Sequence, residues 1–349
     1  MLILNDIHIG AMRKAGTTPT SQAALREFTH QQFSALLQAT DEDHLVINGD
    51  LFDGFEVEGA DLIQAFSAIN EWFRLPGRRL LTLIAGNHDW NPRAGRVSSF
   101  HMLAHFLRAK HGSMVETIDY STGLSRVLTT NRVWAIPHMP NQDLFDLELK
   151  KALDTTGDFL LLHANYDNNF AAEADHSLNV SAEMADALIQ KGWTLIFGHE
   201  HQPKVGTKLV ITGNQIPTSV ADCLQCYCKY YLTLKEGELA RHEWLNLDKD
   251  KVFTHVDWHE LDAELGYQFI RVEGSATAEQ ASEAVEAVAK LRQKSQAFVI
   301  TNAIKVDGLA EFDQLAEMSL EQITAFNVLD ALLAELSEEE GRVVKELLE

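Results

Sequence analysis

This 349-residue chain predicts an α/β fold in which parallel strands alternate with helices and present polar chemistry at one rim. Three observations predict it. Short runs of Leu, Ile and Val recur without polar alternation, as strands buried on both faces require. Stretches with apolar residues at helical spacing separate many of those runs. Five of the runs end abruptly in amides, imidazoles and carboxylates, and in open α/β sheets ligands gather at the carboxyl ends of the strands.

Taken in order, Leu2-Ile3-Leu4 runs into Asn5-Asp6-Ile7-His8. A polar loop leads through Ser21 to a helix with Leu25, Phe28, Phe33, Leu36 and Leu37 on its apolar side. Leu45-Val46-Ile47 runs into Asn48-Gly49-Asp50-Leu51-Phe52-Asp53, and the next helix carries Leu62, Phe66, Ile69 and Phe73 before Pro76-Gly77 stops it. Leu83-Ile84-Ala85 ends at Gly86-Asn87-His88-Asp89, and Phe100 to Leu107 is helical again. His101 and His105 lie one turn apart there, a spacing that can bind metal but that a solvated helix face explains better. Phe159 to Leu162 runs into His163, and Leu195-Ile196-Phe197 into Gly198-His199-Glu200-His201.

The mixture of donors is what argues for metal. Imidazole, carboxylate and amide oxygen together suit divalent ions such as manganese, iron or zinc, whereas a thiolate set points to structural zinc. Asp6 and His8 are two apart, as are His199 and His201, so along an extended segment each pair points the same way, and a turn can also bring both to one centre. The potential ligands exceed what one ion needs, which makes this a two-metal centre.

Further on, two apolar stretches between Tyr230 and Trp244 flank Lys235-Glu236-Gly237-Glu238, a hairpin by its turn chemistry. Cys223, Cys226 and Cys228 cluster without a fourth ligand, in a segment, Cys223 to Leu234, that reads as strand; three reduced thiols beside a sheet account for them. The catalytic domain is expected to finish near Val252. Beyond it, Tyr267 to Val272 reads as strand, Thr277 with Gln280 opens a helix carrying Ala281, Val285, Val288 and Leu291, and Ala297 to Val306 reads as a second long strand. Ser319 with Gln322 and Ser337 with Glu340 then open two short amphipathic helices, bearing Ile323, Phe326, Leu329, Leu333 and Leu336, then Val343, Val344, Leu347 and Leu348. Two such short helices cannot bury these faces against each other alone, so they dock either on the chain's own body or on a partner.

Lys and Arg total 29 against 51 Asp and Glu, a net charge of −22, and the tail from residue 310 supplies −9 of it, with eleven acidic and two basic residues. Such acidity argues against autonomous, sequence-indifferent binding of nucleic acid. A polyanionic substrate therefore needs local cations, for which Arg13, Lys14, Arg78, Arg79, Arg93 and Arg96 are candidates, or metals, or a partner. The start has no basic region followed by a long apolar one, and no run approaches a membrane span, so a cytoplasmic protein without membrane attachment is expected.

In the order Asp-x-His, Gly-Asp-x-x-Asp, Gly-Asn-His-Asp, single His and Gly-His-x-His, the five strand ends resemble the signature motifs of the calcineurin-like metallophosphoesterase superfamily, over about the first two-thirds of the chain. The resemblance implies a two-sheet α/β/β/α metallophosphoesterase sandwich. It implies one metal held by Asp6, His8, Asp50 and His201 and another by Asp50, Asn87, His163 and His199, with Asp50 bridging and His88 unligated beside the leaving group. Asp53 and Asp89 would orient ligands. The segment Gly213 to Ser219 resembles the glycine-turn-serine segment that closes the same fold.

A small α+β cap at 262–308 and a C-terminal helix pair at 309–349, following a catalytic domain at 1–252, resemble the SbcD-type and meiotic-recombination-eleven-like DNA repair nucleases. There the cap gates the DNA, the helix pair grips the coiled-coil root of an SMC-like ATPase, and surfaces near the first helices pair two subunits. The resemblance thus implies a manganese-dependent exo- and endonuclease acting on DNA in repair and recombination, with magnesium, iron or zinc as alternative ions, as a homodimer within a heterotetramer. Asp53 stands where the bacterial branch has aspartate and the other branch usually histidine. A stand-alone esterase of phosphomonoesters or cyclic nucleotides uses the same five motifs and needs no ATPase.

Overall fold

The computed structural model describes residues 1–12, 18–90, 96–128, 130, 132–168, 177–262 and 265–306. The chain divides into two compact units. The first comprises Met1–Thr254, Tyr267–Phe269 and Gln296–Val299, and the second His255–Gly266, Ile270–Ser295 and Ile300 onward.

The first unit holds two six-stranded sheets. One is built from β1 (Leu2–Leu4), β2 (His44–Asn48), β3 (Leu80–Ile84) and β4 (Val115–Ile118), mutually parallel, with β13 (Cys228–Lys235) running antiparallel to β1 and β14 (Glu238–Asn246) outside it. The other has β6 (Val133–Ile136), β7 (Phe159–His163), β10 (Thr194–Gly198) and β12 (Leu209–Ile211) in parallel, edged by antiparallel β5 (Ser125–Arg126) and β11 (Lys204–Val205). A two-residue pair, β8 (Asn165–Tyr166) with β9 (Asn179–Val180), stands apart.

Side-chain alternation sorts each strand between two cores. Leu2, Leu4, Leu45, Ile47, Leu81 and Leu83 pack with α1 (Pro19–Leu36), α2 (Gly59–Phe73) and α3 (Ser99–His111), while Ile3, Val46 and Ile84 point the other way. There they meet Leu161, Ile196, Ala135 and Val210 of the second sheet. Leu160, Leu162, Leu195 and Phe197 face a third cluster with Phe145 and Leu149 of α4 (Gln142–Leu153) and Ala185 and Leu188 of α5 (Ala182–Gln190). This layering is an α/β/β/α sandwich, and it explains the unbroken apolar runs: both faces of the central strands are buried, so period-two polarity has nothing to serve.

Local chemistry fixes the element ends. Thr18 caps α1, its hydroxyl accepting the Ser21 N–H at 3.1 Å, with Pro19 at the first helical position. Glu236 and Gly237 have φ of 55° and 88°, a type I′ turn that pairs Lys235 with Glu238 and gives the hairpin the twist of its strands.

Several expectations are corrected. On α2 Ile69 is buried and Leu62, Phe66 and Phe73 pack partly buried against the same core, as expected, while Asp61, Ala65, Asn70 and Trp72 are buried as well; Leu62 and Phe66, with Ile63, Phe106, Ala109 and Lys110, also line an open apolar groove of about 440 Å³. Contacts from Arg26 and His30 turn the polar Asp61 inward, which apolar periodicity does not report. Cys223 lies in a short 3₁₀ turn, not a strand, and β13 starts only at Cys228; among the described residues no cysteine joins a candidate metal cluster. The long strand expected over Ala297 to Val306 is two pieces, β18 (Val299–Asn302) and β19 (Lys305–Val306), broken where the Asn302 side chain accepts the Ile304 N–H.

The strands β15 (Phe253–Asp257), β16 (Phe269–Glu273) and β18 pair in that order, and each begins in the first unit and continues into the second. The second unit adds β17 (Ser275–Ala276), parallel to β19, and α6 (Ala281–Lys294). Thr277 and Gln280 exchange reciprocal side-chain-to-backbone hydrogen bonds of 3.1 and 3.3 Å, a capping box. Ala284, Val288 and Leu291 are the buried face of α6, and Val285, expected inside, is 60% exposed. The helix pair expected over 309–349 lies outside the described residues.

Candidate metal centre

The loops that follow β1, β2, β3, β7 and β10 leave the carboxyl ends of parallel strands in the two facing sheets. The first two interlock: the His8 N–H donates to the Asp50 carbonyl at 3.0 Å, the Asp6 N–H to the Gly49 carbonyl at 3.3 Å, and Ile9 bridges to Phe52. Asp6, His8, Asp50 and His199 have φ of 52°, 51°, 47° and 84°, in the left-handed region that side chains other than glycine avoid. Asp6 and His8 thus reach the centre through a turn and not along an extended segment. Such strain persists only where surrounding contacts enforce it, and it clusters at functional sites.

Three groups of donor atoms converge: two gather the expected ligands, and the third is His8, Asp53 and His88. In the first, Asp6, His8 and His201 approach one another, with His8 Nε2 3.0 Å from His201 Nε2. The Asp6 carboxylate also receives the His199 N–H at 2.9 and 3.0 Å, which ties the first motif to the last. In the second, Asp50, His163 and His199 come together: His163 Nε2 is 3.3 Å from Asp50 Oδ2, and Asn87 Oδ1 is 3.0 Å from both His163 Nε2 and His199 Nδ1. Asp50 reaches both groups, since its Oδ2 is also 3.9 Å from His8 Nε2. Neighbouring donors about 3.0 Å apart match the edge of an octahedron around an ion with bonds of about 2.1 Å. Lone-pair atoms packed at that spacing repel unless a proton or cation lies between them, so this donor set fits two divalent ions.

The far side of each ring decides which nitrogen faces inward. His8 Nδ1 lies 3.2 Å from Asp53 Oδ1, His201 Nδ1 2.7 Å from Asp222 Oδ1, and His163 Nδ1 3.2 Å from the Asn48 carbonyl. His88 stands beside the two groups of expected ligands and belongs with His8 and Asp53 to the third: its Nδ1 donates to the Asp53 carbonyl at 2.6 Å, its Nε2 is 3.9 Å from Asp50 Oδ2, and its side chain is 36% exposed. A half-open imidazole with one nitrogen anchored can pass a proton from the other. Asp89 is fully buried and acts one step further back, its Oδ2 accepting the Gly86 N–H at 2.9 Å and so shaping the turn that presents Asn87 and His88.

The model of the family described as calcineurin-like phosphoesterase matches residues 1–203. The chain belongs to that family. The comparison with curated proteins finds no match. Membership makes the activity metal-dependent hydrolysis of phosphoesters, and the two convergent groups are candidate positions for the family's divalent ions.

In this phosphoesterase the imidazoles and carboxylates of the centre shift one another's charge strongly. Burial opposes charge on His163, but the Asp50 and Asp6 carboxylates outweigh it and lift its pKa to about 9. Burial would also raise Asp50, yet His163, His88 and His8 hold it well below the carboxylate range. Asp89 goes the other way, pushed well up by burial and then by the Asp50 charge. Since protons and divalent ions compete for the same nitrogens, loading the centre releases protons.

Reading the sequence missed several residues of this phosphoesterase site. Asp222 backs His201, and the only signal was a lone acidic residue in an apolar stretch. Asn5 and Asn48 form a buried amide belt behind the ligands: Asn48 Nδ2 donates to Asn5 Oδ1 at 3.0 Å and to the Leu162 carbonyl at 3.2 Å, and Asn5 Nδ2 to Thr212 Oγ1 at 2.6 Å. His138 is 5% exposed, and burial followed by the positive surroundings of His163 lowers its pKa to about 3. Of the candidate cations, Arg79 is buried against Trp72, holding the Glu42 and Pro76 carbonyls, and is not available to substrate. Arg96 pairs with Glu56, Arg78 is exposed, and Arg13, Lys14 and Arg93 lie outside the described residues. His101 bonds Ser98 and Asp119, so it serves a helix start and is no ligand. No helix among the described residues is long and apolar enough to cross a membrane.

Proposed function

We propose that this phosphoesterase is the nuclease subunit of an SbcCD-like complex, cutting DNA phosphodiesters with manganese. One observation carries the reading: a complete ligand constellation with an independently anchored His88 is followed by a second compact unit that has no candidate metal cluster among its described residues. A poor leaving group such as the 3′ oxygen of DNA needs its own proton donor, and a further compact unit built mostly from later residues suits a gate on substrate shape. The expected tail helices then supply the grip on an SMC-like ATPase, and the apolar groove of α2 and α3 suits pairing of two copies. The net charge of −22 fits a subunit that leaves DNA affinity to its partner.

Asp6, His8, Asp50 and His201 would hold one ion, and Asp50, Asn87, His163 and His199 the other. When bound, the pair supplies positive charge to the phosphate and lowers the pKa of water. The chain's own residues do the rest. Asp53 serves twice, its carboxylate facing His8 and its carbonyl taking the His88 Nδ1–H, so one residue aligns a ligand with the proton donor. With Nδ1 committed, the protonated His88 gives its Nε2 proton to the departing oxygen. Purified protein with manganese should degrade end-labelled DNA and a chromogenic phosphodiester; turnover of a phosphomonoester alone would replace this reading with the stand-alone esterase.

A further inference from the structure

We propose that Asp222 is a positioning residue for His201, and that with the buried Lys229 behind it Asp222 sets the affinity of the ion position formed by Asp6, His8 and His201. This rests on the two-ion reading of the centre. His201 Nδ1 donates to Asp222 Oδ1 at 2.7 Å. The other oxygen receives the Thr218 N–H at 2.8 Å, the Ser219 N–H at 2.9 Å and the Thr218 hydroxyl at 3.2 Å. The carboxylate is 3% exposed and clamped at both ends, so it cannot turn away from the ring.

A proton held on Nδ1 leaves the lone pair on Nε2, the atom that faces His8 Nε2 at 3.0 Å. Asp222 therefore chooses the tautomer and the ring plane before any ion arrives, and its charge makes Nε2 a stronger donor. Burying that charge is costly unless it is compensated. Lys229, 1% exposed, bonds the Asp222 carbonyl and, at 2.7 Å, Asn214 Oδ1, while Asn214 in turn donates to the Ile216 carbonyl at 2.9 Å. A lysine so enclosed cannot meet substrate, and its ammonium faces the back of this loop. Its charge opposes that of Asp222 and is also felt at His201 directly. The second position is built differently, since His163 is backed by the neutral Asn48 carbonyl. The influence of Asp222 is accordingly confined to one ion.

Asp222→Asn keeps the shape and the two amide contacts but removes the charge. Wild-type protein titrated with manganese should bind two ions by calorimetry. The variant should hold one of them about 10- to 100-fold more weakly and the other unchanged. Its manganese resonance spectrum should change from a coupled pair to an isolated ion at limiting metal, and excess manganese should restore turnover. Lys229→Met, which removes a cation facing the same carboxylate, should move the same ion in the opposite direction by less. Equal weakening of both ions would reduce Asp222 to a structural part and overturn the proposal, as would wild-type affinity for both. If Asp222→Asn does not fold, the zinc-loaded wild type decides: its His201 ring nitrogens must show a protonated Nδ1 and a metal-bound Nε2, and the reverse overturns the proposal. A wild-type chain that binds no manganese would instead overturn the two-ion reading itself.

Discussion

Gly49→Ala tests how closely the two sheets approach at the centre. Gly49 has φ of +85°, and a Cβ added there would lie 1.8 Å from His163 Nδ1 and 2.4 Å from its Cε1. The imidazole has no room to retreat, because His163 is buried and its Nδ1 is bound to the Asn48 carbonyl. The left-handed backbone costs an alanine about 1–2 kcal/mol, and forcing a methyl into a filled site adds about 1–3 kcal/mol. Together these lower the melting temperature of the first unit by roughly 5–15 °C. Gly77→Ala separates the two terms: Gly77 has φ of +105° but open space around its Cβ, so it bears the strain alone, roughly 2–6 °C. Displacing His163 should also remove the candidate ion position it shares with Asp50 and His199, so the variant should bind one manganese where two are expected of the wild type. Scanning fluorimetry in chelator and calorimetry with manganese read both effects. If Gly49→Ala melts within about 2 °C of Gly77→Ala and still binds two ions at wild-type affinity, the packing of His163 against this glycine is wrong.

Three further outcomes are expected. His88→Ala should retain both ions and slow DNA cleavage by about 10²- to 10⁴-fold, with a smaller loss on an activated nitrophenyl ester, whose leaving group needs no proton; equal losses would assign His88 to positioning. His44, bonded to Thr82 at 3.1 Å, has its pKa lowered to about 4, first by burial and then by the N-terminal charge. The unfolded chain takes up its proton near pH 6.5 and the folded one only near 4, so the stability this group contributes is present above 6.5 and lost as pH falls through that window, on the order of 3 kcal/mol. His44→Gln should flatten that limb of the stability curve, and curves that overlay would show the ring is not buried uncharged. Deleting residues 319–349 removes no ligand candidate, so if the tail grips an ATPase as proposed, metal-dependent cleavage and melting temperature should survive while copurification with that ATPase is lost; aggregation without any partner would mean that the tail covers the chain's own core.

The sequence by itself determined whatever is decided within a few residues. An apolar run that stops at Gly-Asn-His-Asp declares both a buried strand and the chemistry at its end, because the strand needs apolar side chains and the donors need the rim. Capping by Thr277 and Gln280 and the turn at Glu236-Gly237 are equally local. Only the tertiary structure decided matters that depend on a distant neighbour. Nothing in Leu2-Ile3-Leu4 says that Ile3 alone meets the second sheet, since all three residues are apolar and the choice of face comes from the pairing. Asp61 turns inward on α2 because Arg26 and His30 are there to receive it, which no helical periodicity reports. Asp222 reads as an unremarkable acid beside a cysteine until the loop after β12 folds back under His201, 21 positions earlier in the chain. Hydrogen bonds of this kind join segments that no local propensity relates, and so the donors at the strand ends were legible while the residues that orient them were not.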